Sequence, residues 1–182
     1  MSYCEYINTI TGWALDLNKT YHDEKYGFPI EDDNELFGRL LLEINQAGLS
    51  WSTILRKEAA FRTAYDKFDI ETIANYTETE EARLLSDPGI IRNRLKVKAA
   101  IHNAQVIMEL KKEYGSFKSW LDHHHPKTKD EWTKLFKQTF KFTGGEIVNE
   151  FLLSTGYLEG AHTPDCSIYQ KILDKKPAWR RL

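Results

Sequence analysis

Residues 80–110, "EEARLLSDPGIIRNRLKVKAAIHNAQVIMEL", decide how the rest of the chain is read. Helix-forming residues run to about Leu85, the pair Pro88 and Gly89 makes a tight turn, and a second helix starts near Arg92 with Val97, Ile101, Ala104 and Met108 on one face. The segment is therefore a helix, a short hairpin and a helix. The first N–H groups of the second helix lack an upstream acceptor, so they and the positive end of the helix dipole point outward, where a phosphate can sit. Arg92, Arg94, Lys96 and Lys98 bring positive charge to the same place. An ordinary αα-corner with a basic surface has the same ingredients. The coincidence of turn, helix start and basic cluster favours nucleic acid.

Outward from the hairpin, helical periodicity or good helix formers fill residues 34–47, 52–67, 69–75, 78–86, 92–114, 116–124, 130–138, 144–155 and 166–174, and alternating strand patterns are scarce. Turn chemistry separates them at "YGFP" (26–29), "AGLS" (47–50), "DPG" (87–89) and "TGG" (143–145). The fold class expected is all-α. With no repeat, low-complexity tract or linker, residues 1–182 are expected to form one helical domain, with the hairpin element at about 78–114. A hydrophobic content of 41% beside 29% charged residues suits a water-soluble globular chain. Neither a membrane-length apolar run nor a signal-peptide pattern is present, so no membrane partner and a cytoplasmic location are expected. The net charge of −2 argues against indiscriminate coating of nucleic acid. Its distribution is uneven: residues 16–35 hold seven acids and two bases, residues 87–112 six bases and two acids. One basic face follows, although solvated helix faces give the same pattern.

Residues 40–51, "LLLEINQAGLSW", carry a second signal. Leu36, Phe37, Leu40, Leu41 and Ile44 build one apolar stripe, and Glu43 lies at about −20° from Leu36 on a helical wheel, toward the core side. Periodicity alone also permits a solvated acid or one paired with a nearby base. The cysteines, Cys4 and Cys166, are equally open: a disulfide, two core thiols or metal ligands. The run His123, His124, His125 before Pro126 reads as a solvated helix C-terminal cap rather than a metal site.

"YHDEKYGFP" (21–29), Glu43 followed by "QAGLSW" (46–51), "DPGIIRNRLKVKAAIHNA" (87–104) and "FKFTG" (140–144), in that order through most of the chain, resemble the DNA-3-methyladenine glycosylase I family of the helix-hairpin-helix glycosylase superfamily. The resemblance implies a bacterial-type base-excision repair enzyme. It would flip 3-methyladenine out of alkylated double-stranded DNA and hydrolyse the N-glycosidic bond, without a lysine Schiff base or lyase step. No candidate for the catalytic aspartate of other helix-hairpin-helix glycosylases is found here. By the same resemblance Glu43 is the catalytic residue and accepts hydrogen bonds from the flipped base, and Tyr6, Tyr21 and Trp51 wall the pocket. Gln46 and Leu49 wedge the vacated stack, and Gly89, Arg92, Arg94 and Lys96 contact DNA. Because the alkylated nucleotide is cationic, a carboxylate and aromatic faces select it over neutral adenine, by about 1 to 2 kcal/mol per ring. A monomer is expected.

The family also implies a structural zinc ion, Zn2+, held by Cys4, His22, His162 and Cys166, joining the N- and C-terminal segments. Two thiolates and two imidazoles suffice for closed tetrahedral coordination, and Pro164 inside "HTPDC" makes the last pair a loop clip. Closing a loop of nearly the whole chain should stabilise the fold. A disulfide is disfavoured in a cytoplasmic compartment, and a catalytic zinc would keep an open position. Asp23 and Glu24 are candidate acceptors for the second ring nitrogen of His22. The chain departs from the family pattern at Ile44 (usually glycine, so the pocket is expected to narrow or the helix to shift), Asn18 (a pocket tyrosine), Tyr26 and Tyr6 (each a tryptophan), and "EGAH" (159–162, an inserted residue). Alternatives are a non-catalytic hairpin DNA-binding protein, a zinc hydrolase, or a glycosylase with altered lesion choice.

Overall fold

The computed structural model describes residues 1–181, and every regular element among them is helical. In chain order these are α1 (Tyr3–Ile7), α2 (Trp13–Glu24), α3 (Asp33–Gln46), α4 (Trp51–Ala64), α5 (Ile70–Ala74), α6 (Glu78–Ser86), α7 (Arg94–Tyr114), α8 (Phe117–His124), α9 (Lys129–Thr139), α10 (Gly145–Ser154) and α11 (Tyr169–Asp174), with 3-10 turns at Asp66–Phe68 and Ala178–Arg180. Most starts are set locally by a short polar side chain that accepts from the first turn: Asp32 for α3, Ser50 for α4, Asn93 for α7, Ser116 for α8, and full capping boxes at Thr77 and Thr128. Among the described residues no helix is long and apolar enough to cross a membrane.

The central element is α3. Every residue from Leu36 to Asn45 is buried, and the helix packs against α4, α5, α7, α8 and α10. Over this covered stretch an acid is buried whichever way its side chain points, as Glu43 is. Its first turn also organises a neighbour, since the Asp33 carboxylate accepts from the backbone N–H groups of Phe117 and Lys118 at 2.9 Å, satisfying the start of α8. Beyond α3, Phe117, Trp120, Phe136, Phe140 and Phe151 form an aromatic block between α8, α9 and α10, with ring centroids 5.3 to 6.3 Å apart.

The hairpin is present as α6, a turn and α7. Helix α7 starts at Arg94, two residues later than the periodicity places it, because the Asn93 side chain caps it by accepting from the N–H of Lys96 at 3.1 Å. The turn is seated on α4. Lys57 Nζ donates to the carbonyls of Pro88 and Gly89, both at 3.1 Å, and a Cβ on Gly89 would lie 3.1 Å from that of Ala60. Helices α1 and α2 escaped the periodicity reading: α1 is a single short turn with no buried residue, and α2 has a weakly apolar face. Helix α4 stops at Ala64, short of the expected 67, because Asp66, Lys67 and Phe68 all take left-handed backbone conformations.

Candidate active site

Glu43 opens onto a cleft of about 450 Å³ walled by Tyr3, Tyr6, Tyr21, Tyr26 and Trp51, with Gln46, Glu150 and Leu153 also on its lining. The Glu43 side chain is 4% exposed and accepts no hydrogen bond from a described residue. Burial pushes its carboxyl up to about 8, with nearby Arg39 opposing and Glu150 adding to the shift. Arg39 does not neutralise it by contact. Its guanidinium donates instead to Tyr21 Oη (3.1 Å) and to the Ser154 carbonyl (3.3 Å), and lies 5.0 Å from the Tyr21 ring centroid. Tyr21 and Trp51 meet at 5.1 Å, and the Trp51 indole N–H is buried with no partner among the described residues. The Glu43 carboxyl is thus an acceptor without a partner at the edge of an aromatic cleft.

Beside the cleft, the ligand atoms of Cys4, His22, His162 and Cys166 lie within 4.8 Å of one another, a group that could hold a metal ion. The four S···N separations are 3.4 Å (Cys4–His22), 3.6 Å (Cys4–His162), 3.4 Å (Cys166–His162) and 3.7 Å (Cys166–His22). Each imidazole spends its other nitrogen elsewhere: His22 Nδ1 lies 2.7 Å from Asp23 Oδ1, and His162 Nε2 lies 2.9 Å from the Tyr26 carbonyl. Burial lowers the His162 imidazole to about 4, keeping it in the neutral form a metal requires. The two thiols are not joined. Glu24 is exposed and takes no part. Gly27 ties this corner to the cleft: its φ is +83°, its N–H donates to the Ser154 carbonyl at 2.9 Å, and a Cβ there would stand 2.8 Å from that of Ala161. The histidine run stays apart from the cluster, with His125 as the C-cap of α8.

The remaining sequence candidates divide between the hairpin and the turn joining α3 to α4. Leu49 projects from that turn at 39% exposure, Gly48 bends it with φ +84°, and the Gln46 amide donates to the Leu49 carbonyl at 3.0 Å. Arg92 is exposed at the hairpin, and Arg94 is exposed but 3.3 Å from Glu81. Lys96 corrects the sequence reading. It is 5% exposed and its ammonium donates to the carbonyls of Asn45 (2.9 Å) and Ala47 (2.8 Å), so it is spent closing the C-terminal end of α3 and is not a free phosphate contact. Counting like charges along the chain cannot separate an inward lysine from an outward one.

A family model for methyladenine glycosylase matches residues 13–134. The chain is 32% identical to DNA-3-methyladenine glycosylase 1 of Escherichia coli over 179 residues, 87% of this chain and 95% of that protein. It superposes with TM-score 0.76 at 33% identity on 3-methyladenine DNA glycosylase I from Staphylococcus aureus, covering 84% of this chain and 90% of that one. A variant 3-methyladenine DNA glycosylase I in complex with 3-methyladenine gives TM-score 0.80 at 31% identity, covering 92% and 97%. The chain belongs to the methyladenine glycosylase family.

In this methyladenine glycosylase family member, the departures noted in the sequence are absorbed locally. Ile44 turns into the core rather than the cleft, so it does not narrow the pocket. Asn18 is fully buried. Its amide donates to Ser52 Oγ (2.8 Å) and the Ala14 carbonyl (2.7 Å), and its Oδ1 accepts from Tyr3 Oη (2.7 Å). A phenol from α1 thereby enters the cleft, its ring 5.0 Å from Tyr26 and stacked at 5.9 Å on Tyr6. Gly160, with φ +118°, makes the turn of the inserted residue before His162. Sequence reasoning missed Tyr3 and Glu150 on the cleft lining, and Arg39, a charged neighbour of Glu43. Arg39 was accessible to it, one helical turn before Glu43 on the same face. Tyr3 and Glu150 carried no such signal, because α1 and α10 reach the cleft only through the tertiary fold.

Proposed function

We propose that this chain is a base-excision N-glycosylase that releases 3-methyladenine from alkylated double-stranded DNA. The observation that carries the reading is Glu43, a buried carboxyl without a hydrogen-bond partner, in a cleft of aromatic rings. Alkylation at N3 leaves the nucleobase positively charged. Entry of that cation restores ionisation of Glu43, the carboxylate accepts from the base N–H groups, and the rings of Tyr6, Tyr21 and Trp51 contribute cation–π attraction. Neutral adenine gains neither term.

A cationic purine leaves readily. The electrons of the C1′–N9 bond cancel its charge, so no acid need protonate it, and water adds to C1′ with loss of a proton. The protein flips, holds and orients the nucleotide, and no lysine adduct or lyase step is involved. In this reading Leu49 and Gln46 on the Gly48 turn fill the vacated stack. Arg92 and the turn around Gly89, with Arg94 at the rim, track the phosphate backbone. Lys96 ties the turn after α3 to the hairpin helix through the Asn45 and Ala47 carbonyls.

For the metal cluster we propose structural zinc. Zn–S of about 2.3 Å and Zn–N of about 2.05 Å at tetrahedral angles require S···N separations of about 3.6 Å, which the four observed distances bracket. Cys4, His22, His162 and Cys166 would hold the ion, which would crosslink α1, α2 and the C-terminal loop, and none of the four lines the base cleft.

The test is release of 3-methyladenine from methylated DNA, with unmodified DNA as control. Wild type should release the base and Glu43→Ala should not, while remaining folded. A folded wild type that releases none removes the proposal.

A further inference from the structure

Glu43 is not the only acid in the cleft. Glu150, on α10, lines the same space, half-buried and outside every ion pair among the described residues. Tyr26 Oη donates to its Oε2 at 3.2 Å, and the neighbouring Asn149 side chain also favours its ionised form. The Tyr26 ring is itself fixed at 5.0 Å from Tyr3 and 5.7 Å from Tyr21, and its carbonyl meets His162 at 2.9 Å. The carboxylate is therefore held against the aromatic wall.

From this placement, we infer that Glu150 is a second charge-reading, specificity-determining residue of the base cleft, adding its negative charge to that of Glu43 so that discrimination between cationic and neutral bases is shared by two carboxylates. The inference rests on the reading of this cleft as a base pocket. Three features support it. The helices carrying the two acids, α3 and α10, pack directly together. The guanidinium nearest Glu43 in charge, Arg39, is turned to Tyr21 Oη and the Ser154 carbonyl. Burial raises the Glu150 carboxyl against the opposing effect of Tyr26, Asn149 and Lys129, so an incoming cation adds to the groups that favour its ionised form. A donor-bearing neutral ligand gains little from this second charge; a cation gains from it even without touching it, because the Coulomb interaction falls only as the inverse of distance.

The experiment compares two duplexes, one carrying 3-methyladenine, followed by base release, and one carrying the uncleaved neutral isostere 3-deaza-3-methyladenine, followed by binding anisotropy. Wild type, Glu150→Gln, Glu150→Asp and Tyr26→Phe are measured, with thermal melts for each. Loss of one charge a few ångströms from the ligand in a partly desolvated cleft should lower kcat/KM on the cationic lesion about ten-fold in Glu150→Gln. Affinity for the neutral isostere should stay within about two-fold, a split that a merely structural role would not produce. Glu150→Asp should recover most of the loss, and Tyr26→Phe, which frees the carboxylate without removing it, should cost about three-fold. Unchanged release by Glu150→Gln overturns the inference, as do equal losses on both duplexes. Should Glu150→Gln not fold, an unaltered release by Tyr26→Phe and Glu150→Asp together overturns it, and selective loss on the cationic duplex supports it. A wild type that releases no base overturns the base-pocket reading itself, whereas release that ignores Glu150 overturns this inference alone.

Discussion

Substituting Glu43 by glutamine should make the protein more stable and less active at once, and the size of the first effect follows from the site. The Glu43 carboxyl moves from an ordinary 4.5 to about 8 in the folded chain. An acid with a higher pKa when folded binds more protons in the native state than in the unfolded one between those values. Stability is then greatest at low pH, falls as pH rises from 4.5 toward 8, and stays reduced above. At about 1.4 kcal/mol per tenfold, the ceiling on this loss is about 5 kcal/mol, and water entry into an open cleft lowers it to about 2 to 3 kcal/mol. The amide introduced by Glu43→Gln keeps the shape without the ionisation. Urea melts of wild type and Glu43→Gln near pH 5 should nearly coincide, apart from about 1 kcal/mol. Near pH 9 the variant should be more stable by about 2 to 3 kcal/mol, or about 5 to 10 °C in Tm for a chain of this size. In the same preparation, release of 3-methyladenine should fall by about two orders of magnitude or more, because the charge that meets the cation is gone. If the glutamine variant gains nothing at high pH, the carboxylate is solvated or paired and the argument from its isolation fails.

Chelation should lower Tm by several degrees while a sample kept below its new midpoint still releases base, since the metal group is set apart from the base cleft; calorimetry with and without chelator, followed by an activity assay, checks this, and abolished chemistry in a folded apo sample would point to a catalytic metal. Lys96→Met should destabilise by about 1 to 3 kcal/mol in denaturant melts, because the carbonyls of Asn45 and Ala47 lose their donor. Arg92→Ala should leave stability within about 0.5 kcal/mol but weaken binding to every duplex alike and reduce the salt slope of affinity by about 1. An equal salt-slope change for both variants would contradict the division between them. Tyr3→Phe, which removes the donor to Asn18 Oδ1 at 2.7 Å, should cost about 1 kcal/mol and raise the apparent KM for alkylated DNA, as read by steady-state release.

Much of this molecule is local and therefore legible in one dimension. Asp32, Ser50, Thr77, Asn93, Ser116 and Thr128 start helices by bonding within their own first turn, so the helical class and most boundaries need no tertiary information. Where α4 ends short of its periodic pattern, the left-handed run at residues 66–68 is imposed by packing, and propensity does not register it. The candidate site residues Tyr6, Tyr21, Glu43 and Trp51 are named through the family resemblance, and the structure brings all four to one cleft.

The sequence by itself determined the helical alphabet, the hairpin, and the presence of an acid on an apolar stripe, because caps, turns and periodicity act over a few residues. Only the tertiary structure decided that α3 is covered on every side, which turns an acid at a stripe edge into a buried, partnerless one. It alone decided that Lys96 faces inward to two carbonyls, and that Tyr3 and Glu150, 147 positions apart by their numbers, share a wall with Glu43. Burial and charge environment belong to the whole packed chain, and desolvation is what gives a common glutamate a raised carboxyl pKa.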